Sequence, residues 1–498
     1  MKSSRQRQRA RSFERGALAL LLVMSVGGLS ACSGLLDADL PSQLTDGALT
    51  DPSGAETQAN TIITHFESAY DIHTYRTLGR EDAGEVYLCG PMCNVANYIT
   101  ASDAFGPMSI ALRFATELHN RLTNDWAPEQ VPQRDRLLAM SSLYEGAILG
   151  WMGSNLCEIA IDGGPLLAPD EVLQRANTTL TRSLSEINAA GGDFALPNNI
   201  SPSARTMALG LRAQVRWLAG DYAGASADAE EVPQGFVAYV TREPGIASTS
   251  AAVTTRQNRG WFSGSGGAFF EVYDPIDWWS GPPNPVTGEA WPNVIPFTGY
   301  TNLGILPDGR AIREDQIPVR TAAGWMNDHG VMAGAVPDTR VRTDTRTIQG
   351  KQAQGEVPWK YTEEGADIPL VNWKEMWLIR AEIAGGQTAI DLVNELRSAD
   401  NLPLVTYADP SNPEEIRDMI FEERRRALFN EARFFYTKLK NLDVLWFPRD
   451  AGGTRVQNRR LEGGIRYTMP NSEYVVNVNF SSADRATLCA PAERPINP

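Results

Sequence analysis

The segment from Arg212 to Val232, RAQVRWLAGDYAGASADAEEV, constrains this chain most. Leu211, Val215 and Leu218 fall at i, i+4 and i+7, the spacing of one helical stripe. Gly220 then suits the left-handed position that ends a helix, and Asp221 suits the cap of the next one. The run that follows is rich in small residues, with Ala223, Ala227 and the small residues between them expected to let the second helix lie close to the first. The segment reads as helix, tight turn, helix. Such a hairpin buries its apolar face only against further helices, so it points to a helical stack.

The hairpin resembles a tetratricopeptide repeat, although no strict 34-residue period recurs. Helical spacing extends from about Ala59 to Glu230. Leu143, Ala147 and Trp151 form one stripe, and Val172, Ala176, Leu180, Leu184 and Ile187 form another. The second starts with Pro169, Asp170 and Glu171, which suit a first turn. Helical pattern returns near Pro369. Trp373, Trp377 and Ala381 share a face, Ala384-Gly385-Gly386 breaks the pattern, and Ala389, Val393 and Leu396 resume it. A further helix begins at Ser411-Asn412-Pro413-Glu414-Glu415 and is expected to run to Phe435, with irregular chain after Leu439.

Between these regions, residues 234–366 crowd Gly, Pro, Ser, Thr and Asn and lack helical period. Yet six of the twelve Trp lie there: Trp261, Trp278, Trp279, Trp291, Trp325 and Trp359. Long irregular stretches inside compact proteins are uncommon and tend to carry function. The fold expected is mainly α, a tetratricopeptide-like scaffold of helical hairpins with a long irregular insertion rich in aromatics and Gly.

The first thirty-one residues read as a targeting segment. Lys2, Arg5, Arg7, Arg9, Arg11 and Arg15 precede the apolar run Gly16–Ser30, which is too short for a comfortable membrane span. It ends in Leu29-Ser30-Ala31-Cys32, which resembles the lipobox of bacterial lipoproteins. That resemblance implies cleavage before Cys32 and acylation of its thiol and new amino group, an anchor of several acyl chains. Ser33 stands where an Asp would signal inner-membrane retention, which favours the outer membrane. The expected organisation is a signal peptide over 1–31, a lipid-anchored tether over 32–58, and one composite domain over 59–498. That domain comprises helical repeats at 59–233, the insertion at 234–366 and a helical region at 367–498.

Charge and composition exclude several functions. The chain carries 45 Lys+Arg against 60 Asp+Glu, a net charge of -15, whereas nucleic-acid binding needs a basic face. Four His and five Cys, with no HExxH and no paired CxxC, give a metal site or cofactor no support.

Four features together resemble the SusD/RagB family of outer-membrane nutrient-binding lipoproteins. They are Cys32-Ser33-Gly34-Leu35-Leu36-Asp37 with Asp39–Thr45; the Trp217–Val232 hairpin; Asp338-Thr339-Arg340 upstream of Ile368–Trp373; and Ile420-Phe421-Glu422-Glu423-Arg424-Arg425-Arg426-Ala427-Leu428-Phe429-Asn430-Glu431-Ala432-Arg433-Phe434. The chain departs from the family motif at Ala427 and at Ala432, where Gly is usual, and Leu439 lacks the basic pair that usually follows. The resemblance implies helical hairpins as scaffold and the insertion as ligand face. It also implies a partner, a large TonB-dependent outer-membrane barrel of the SusC type, over which the lipoprotein sits at the cell surface.

The charged motif Glu422–Arg433 reads as structural, because Glu and Arg at i, i+3 and i+4 form ion pairs on a helix. No Gly-x-Ser-x-Gly elbow and no Cys/His arrangement suited to a nucleophile is present, and His65, His73, His119 and His329 are scattered. The chain is therefore expected to be no enzyme. An exported glycan-degrading hydrolase and a non-binding helical adaptor are the alternatives. In an oxidising compartment Cys89 and Cys93, with Gly and Pro between them, are a candidate disulfide, and Cys157 with Cys489 a second. The ligand face is expected among Trp261, Phe262, Asp274, Asp277, Trp278, Trp279, Trp291 and Tyr300. Aromatic faces stack on sugar rings or peptide side chains, and the acids accept hydrogen bonds from hydroxyls or an amine. The alternative for each aromatic is a plug that seats the insertion on the scaffold. The function expected is capture of an oligosaccharide or peptide for delivery to the transporter.

Overall fold

The computed structural model describes residues 50–77, 81, 84–86, 102–244, 256–261, 270–272, 305–310, 336, 338–348, 353–441, 454–455, 459–460 and 466–484. The chain divides into two units, Met1–Gly54 and Ala55–Pro498. In the first, the described residues form a 3-10 turn, Pro52–Gly54, in which the Ser53 amide donates to Asp51 Oδ1 at 2.9 Å.

The second unit is built on helical pairs. They are α1 (Ala55–Thr77) with α2 (Ser102–Asn120), α3 (Arg134–Asn155) with α4 (Pro169–Ala189), α5 (Ala204–Ala219) with α6 (Tyr222–Glu230), and α7 (Trp373–Ala384) with α8 (Gly386–Ala399). The first helix of each pair packs on the first helix of the next, α1 on α3, α3 on α5 and α5 on α7. The second helix of each pair packs on the first of its successor, α2 on α3, α4 on α5 and α6 on α7. This is the stacking order of tetratricopeptide-like hairpins. One continuous apolar core follows the stack, and a second lies among α7, α8 and α9 (Pro413–Ala427).

Local signals fix the helix ends as the sequence implies. Gly220 closes α5 at φ 83°, and Asp221 Oδ1 accepts from the Gly224 amide at 3.0 Å. Pro169 opens α4, and Glu171 reaches back to the Ala168 amide at 2.8 Å. Asn412 caps α9 through the amides of Glu414 and Glu415. All five stripe residues of α4 are buried. Close packing between helices rests on Gly: a Cβ on Gly146 would sit 2.6 Å from Leu180 Cγ.

Three local expectations need correction. In α6 the residues packed inward are Ala225 and Ala229, while Ala223 and Ala227 face solvent. Small residues every other position make the stripe ambiguous, and Asp228 decides it by pairing with Arg212 and Arg216 of α5 at 2.6 and 2.9 Å. The helix from Pro413 does not reach Phe435. It stops at Ala427, a turn follows with Asn430 at φ 58° and Ala432 at φ 60°, and α10 (Phe434–Lys440) begins after it. Finally, the chain after Leu439 is not wholly irregular, since α11 (Asn471–Val476) lies there. Its segment is tied to the α3–α4 connection: the Cys157 amide donates to Tyr467 O at 2.8 Å, and the Tyr467 amide to Asn155 O at 2.8 Å.

Strands are short and mostly paired in twos. β1 (Gly84–Val86) pairs antiparallel with β3 (Phe270–Val272), β2 (Val237–Val240) with β6 (Ile368–Asn372), and β4 (Thr343–Ile348) with β5 (Ala353–Pro358). The last pair, β7 (Thr454–Arg455) and β8 (Arg459–Arg460), is also antiparallel. No helix among the described residues is long and apolar enough to cross a membrane.

Candidate functional site: the base of the aromatic insertion

The β2–β6 pair closes the insertion at its neck. Val237 faces Asn372 and Val240 faces Ile368, so residues 241–367 leave the scaffold and return to it through one two-stranded ribbon. The ribbon is clamped from below by α5, where Gly210 lets Val371 approach so closely that a Cβ would meet its Cγ1 at 2.2 Å. Asn372 ends β6 and caps α7 by accepting from the Lys374 amide at 3.0 Å. Its Nδ2 donates to the Glu431 carboxylate at 3.2 Å, so one side chain joins the neck to the charged motif.

Two anchors hold the insertion just beyond the neck. The first is on α1. Glu67 Oε1 accepts from both the amide and the hydroxyl of Thr241, at 2.8 and 2.7 Å, and its Oε2 pairs with Arg256 at 3.0 Å. Asp71, one turn on, accepts from the Arg259 amide at 3.0 Å and lies 3.7 Å from Arg242. Burial pushes the Asp71 carboxyl up to about 6, against the pull of Arg242. The second anchor is the turn between α9 and α10. Lys360 Nζ donates to Phe429 O at 2.8 Å and to Glu431 Oε1 at 2.5 Å, and the Tyr361 hydroxyl donates to Asn430 O at 2.8 Å. The left-handed turn through Asn430 and Ala432 is what breaks the helix here.

Behind this base lies a buried ion cluster. Glu423 accepts from Arg340 Nη1 at 2.6 Å and from Arg397 Nη2 at 2.6 Å. Asp338 Oδ1 accepts from Arg340 Nε at 3.0 Å, and Asp338 Oδ2 from Arg426 Nη1 at 3.1 Å. Glu422 pairs with Arg425 at 2.8 Å and with Arg426. Burial pushes the Glu423 carboxyl up, but Arg340 and Arg397 together outweigh it and hold it at about 2. Arg433 grips Glu375 of α7 with Nε and Nη2, at 2.8 and 2.6 Å, and Arg424 lies over the Trp217 ring at 4.3 Å. The motif is therefore architectural, and its partners are mostly on other elements. Glu422–Arg426 are all buried.

Of the predicted ligand-face residues, Trp261 is described. It is half-buried and packs against the core, with its amide donating to Asn258 Oδ1 at 2.9 Å. Asn258 in turn bonds Glu364 O and Ala366 O on the returning arm. Trp261 thus has the seat of a plug at the base of the insertion. Phe262, Asp274, Asp277, Trp278, Trp279, Trp291 and Tyr300 lie outside the described residues, as do Cys32, Cys89, Cys93 and Cys489. Cys157 is disulfide-bonded, and each other cysteine lies outside the described residues.

Trp359, half-buried at the end of β5, was not among the predicted ligand residues. Its amide donates to Arg342 O at 2.8 Å, and the Arg346 guanidinium covers its ring at 3.9 Å. One face of that indole is already occupied by a cation. The anchoring residues Glu67, Asp71, Arg242 and Arg256 carried no sequence signal, since isolated charges have no periodicity to betray their partners. Among the described residues, no group of three or more His, Cys, Asp or Glu is placed to hold a metal ion.

No protein-family profile and no curated protein matches the sequence. Solved structures do match its fold. A SusD homolog from Bacteroides thetaiotaomicron VPI-5482 superposes with a TM-score of 0.56 at 13% identity, over 88% of this chain and 98% of that one. A SusD-like carbohydrate binding protein from Bacteroides vulgatus ATCC 8482 gives 0.53 at 12% identity, over 86% and 97%. Another SusD-like carbohydrate binding protein, from Bacteroides fragilis NCTC 9343, gives 0.52 at 12% identity, over 89% and 99%. At such identities the likeness is one of fold, and on that ground this chain has the SusD-like fold that its hairpin and charged motifs imply.

Proposed function

We propose that the protein is a SusD/RagB-type surface lipoprotein that binds an oligosaccharide without transforming it and passes it to a TonB-dependent outer-membrane barrel. One observation carries this reading. A helical scaffold of SusD-like fold presents, from a closed and doubly anchored neck, an insertion that concentrates half of the chain's Trp. A doubly anchored base and an aromatic-rich insertion suit a binder: the base fixes the platform, and indoles supply sugar-stacking faces. The similar proteins whose names say that they bind carbohydrate favour glycan over peptide. In this reading Cys32 carries the lipid anchor at the outer membrane, and the ligand face draws on Trp278, Trp279 and their neighbours.

The test is a binding screen of the mature soluble body, lacking residues 1–32, against oligosaccharide and peptide libraries, followed by incubation with each hit. Reversible binding of an oligosaccharide that is recovered intact supports the reading. Cleavage of the hit favours a hydrolase, and binding confined to peptides overturns the glycan assignment. Co-purification of full-length protein with a large TonB-dependent barrel from its native membrane tests the partner.

A further inference from the structure

We propose that the narrow crevice among α1, α3 and α5 is a hydration site that takes a single water molecule, held by the Trp151 indole N–H and the Tyr70 hydroxyl. The crevice has a volume of about 30 Å³ and is walled by buried side chains such as Phe66, Leu211 and Val215. That space exceeds what a water molecule needs. Trp151 and Tyr70 line it, and the Trp151 Nε1 and Tyr70 Oη atoms are buried and find no hydrogen-bond partner among the described residues. Leaving two polar groups buried and unsatisfied is costly, and a water that bonds both removes the cost.

The chemistry of the walls selects water over the alternatives. An apolar guest would leave both groups unsatisfied. The indole offers only a donor, which repels a cation. The one charged residue in the lining is Arg433, and Glu375 neutralises it through two hydrogen bonds, so an anion gains little. Other polar neighbours have partners of their own: Ser154 Oγ donates to Gly150 O at 2.6 Å, Gln214 Nε2 donates to Glu375 at 2.8 Å, and Tyr436 Oη accepts from Asn155 Nδ2 at 2.8 Å. The site lies where the first two hairpins meet α10, so the water acts as a bridge between the first helices of two successive pairs.

A crystal structure of the mature protein tests this directly. We expect one water peak within hydrogen-bond distance of both Trp151 Nε1 and Tyr70 Oη. No peak there, or an anomalous signal at that position after a bromide soak, overturns the proposal. The Tyr70→Phe variant gives a second test through the sign of its effect on Tm. If a water is bound, losing the hydroxyl strips it of a partner, and Tm falls by on the order of 1 °C. If the hydroxyl is merely unsatisfied, its removal leaves Tm unchanged or raises it, and the proposal fails.

Discussion

Arg340 Nη1 donates to Glu423 Oε2 at 2.6 Å across 83 residues of sequence. The contact joins the Asp338-Thr339-Arg340 motif of the insertion to the charged motif of α9. Arg397 of α8 closes on the same carboxylate from the other side. Three separate stretches of chain are thereby locked to one buried anion. We expect Glu423→Ala, which leaves Arg340 and Arg397 facing each other without a counter-charge, to lower stability by about 3–5 kcal/mol in chemical denaturation. Any loss of ligand binding should scale with the unfolded fraction. A variant that melts like the parent yet fails to bind would move the motif into the ligand site.

Buried acids set the pH dependence. Glu81 is buried, with one oxygen accepting from the Phe435 amide at 3.1 Å, and burial pushes its carboxyl up to about 7. Asp71 is pushed up to about 6. A carboxyl whose folded pKa exceeds its unfolded value binds more protons when folded. Both groups therefore make stability fall as pH rises from about 4 to about 7. Glu423 works in the opposite direction, because its depressed pKa makes stability fall as pH drops from about 4.5 towards about 2. Tm measured across this range should peak at about pH 4, and Glu81→Gln should flatten the limb above the peak. A Tm that climbs steadily to pH 8 would contradict the assignment.

Gly210 marks the tightest approach between scaffold and neck. Gly210→Ala drives a methyl into Val371, and overpacking of this kind typically costs about 1–3 kcal/mol. Because Val371 belongs to β6, the variant should also raise protease sensitivity within residues 241–367 more than within α3 and α4. Uniform sensitivity across the molecule would argue against the neck as the element that holds the insertion.

Trp278 and Trp279 are adjacent in sequence, and side chains that alternate along an extended chain point to opposite sides, so the proposed function assigns one of the two indoles to the ligand. Once an oligosaccharide is identified, Trp278→Ala or Trp279→Ala should weaken its binding by about 5- to 150-fold, the effect of about 1–3 kcal/mol from one stacking aromatic. Titration calorimetry decides this. If both variants stay folded and bind like the parent, the ligand face lies elsewhere.

Cys32→Ser should abolish acylation. Cell fractionation should then find the protein unprocessed or outside the outer-membrane fraction. Co-fractionation of this variant with the outer membrane, at the parent's level, would refute the anchor.

Much of the scaffold was legible because its signals are local. Gly220 and Asp221, Pro169 and Glu171, and Asn412 act on backbone groups within a turn, so the sequence alone placed those helix ends and the stripe Val172–Ile187. The break after Ala427 was not legible. Leu428–Arg433 continues in helix-forming residues, and what turns the chain is a contact set with distant groups, Lys360, Tyr361, Asn372 and Glu375. Ala432 shows the competition plainly. An alanine in the left-handed region costs about 1–2 kcal/mol, and the tertiary bonds on either side impose it where the related motif carries Gly. Both helices of the second pair read as stripes in the sequence but not as a repeat, since their pairing depends on which face each neighbour covers. The sequence could mark residues 234–366 as an insertion and the charged motif as structural. Only the folded chain determined that Glu67 and Asp71 of the first helix hold that insertion's root, because a lone buried charge takes its partner from three dimensions and leaves no period in one.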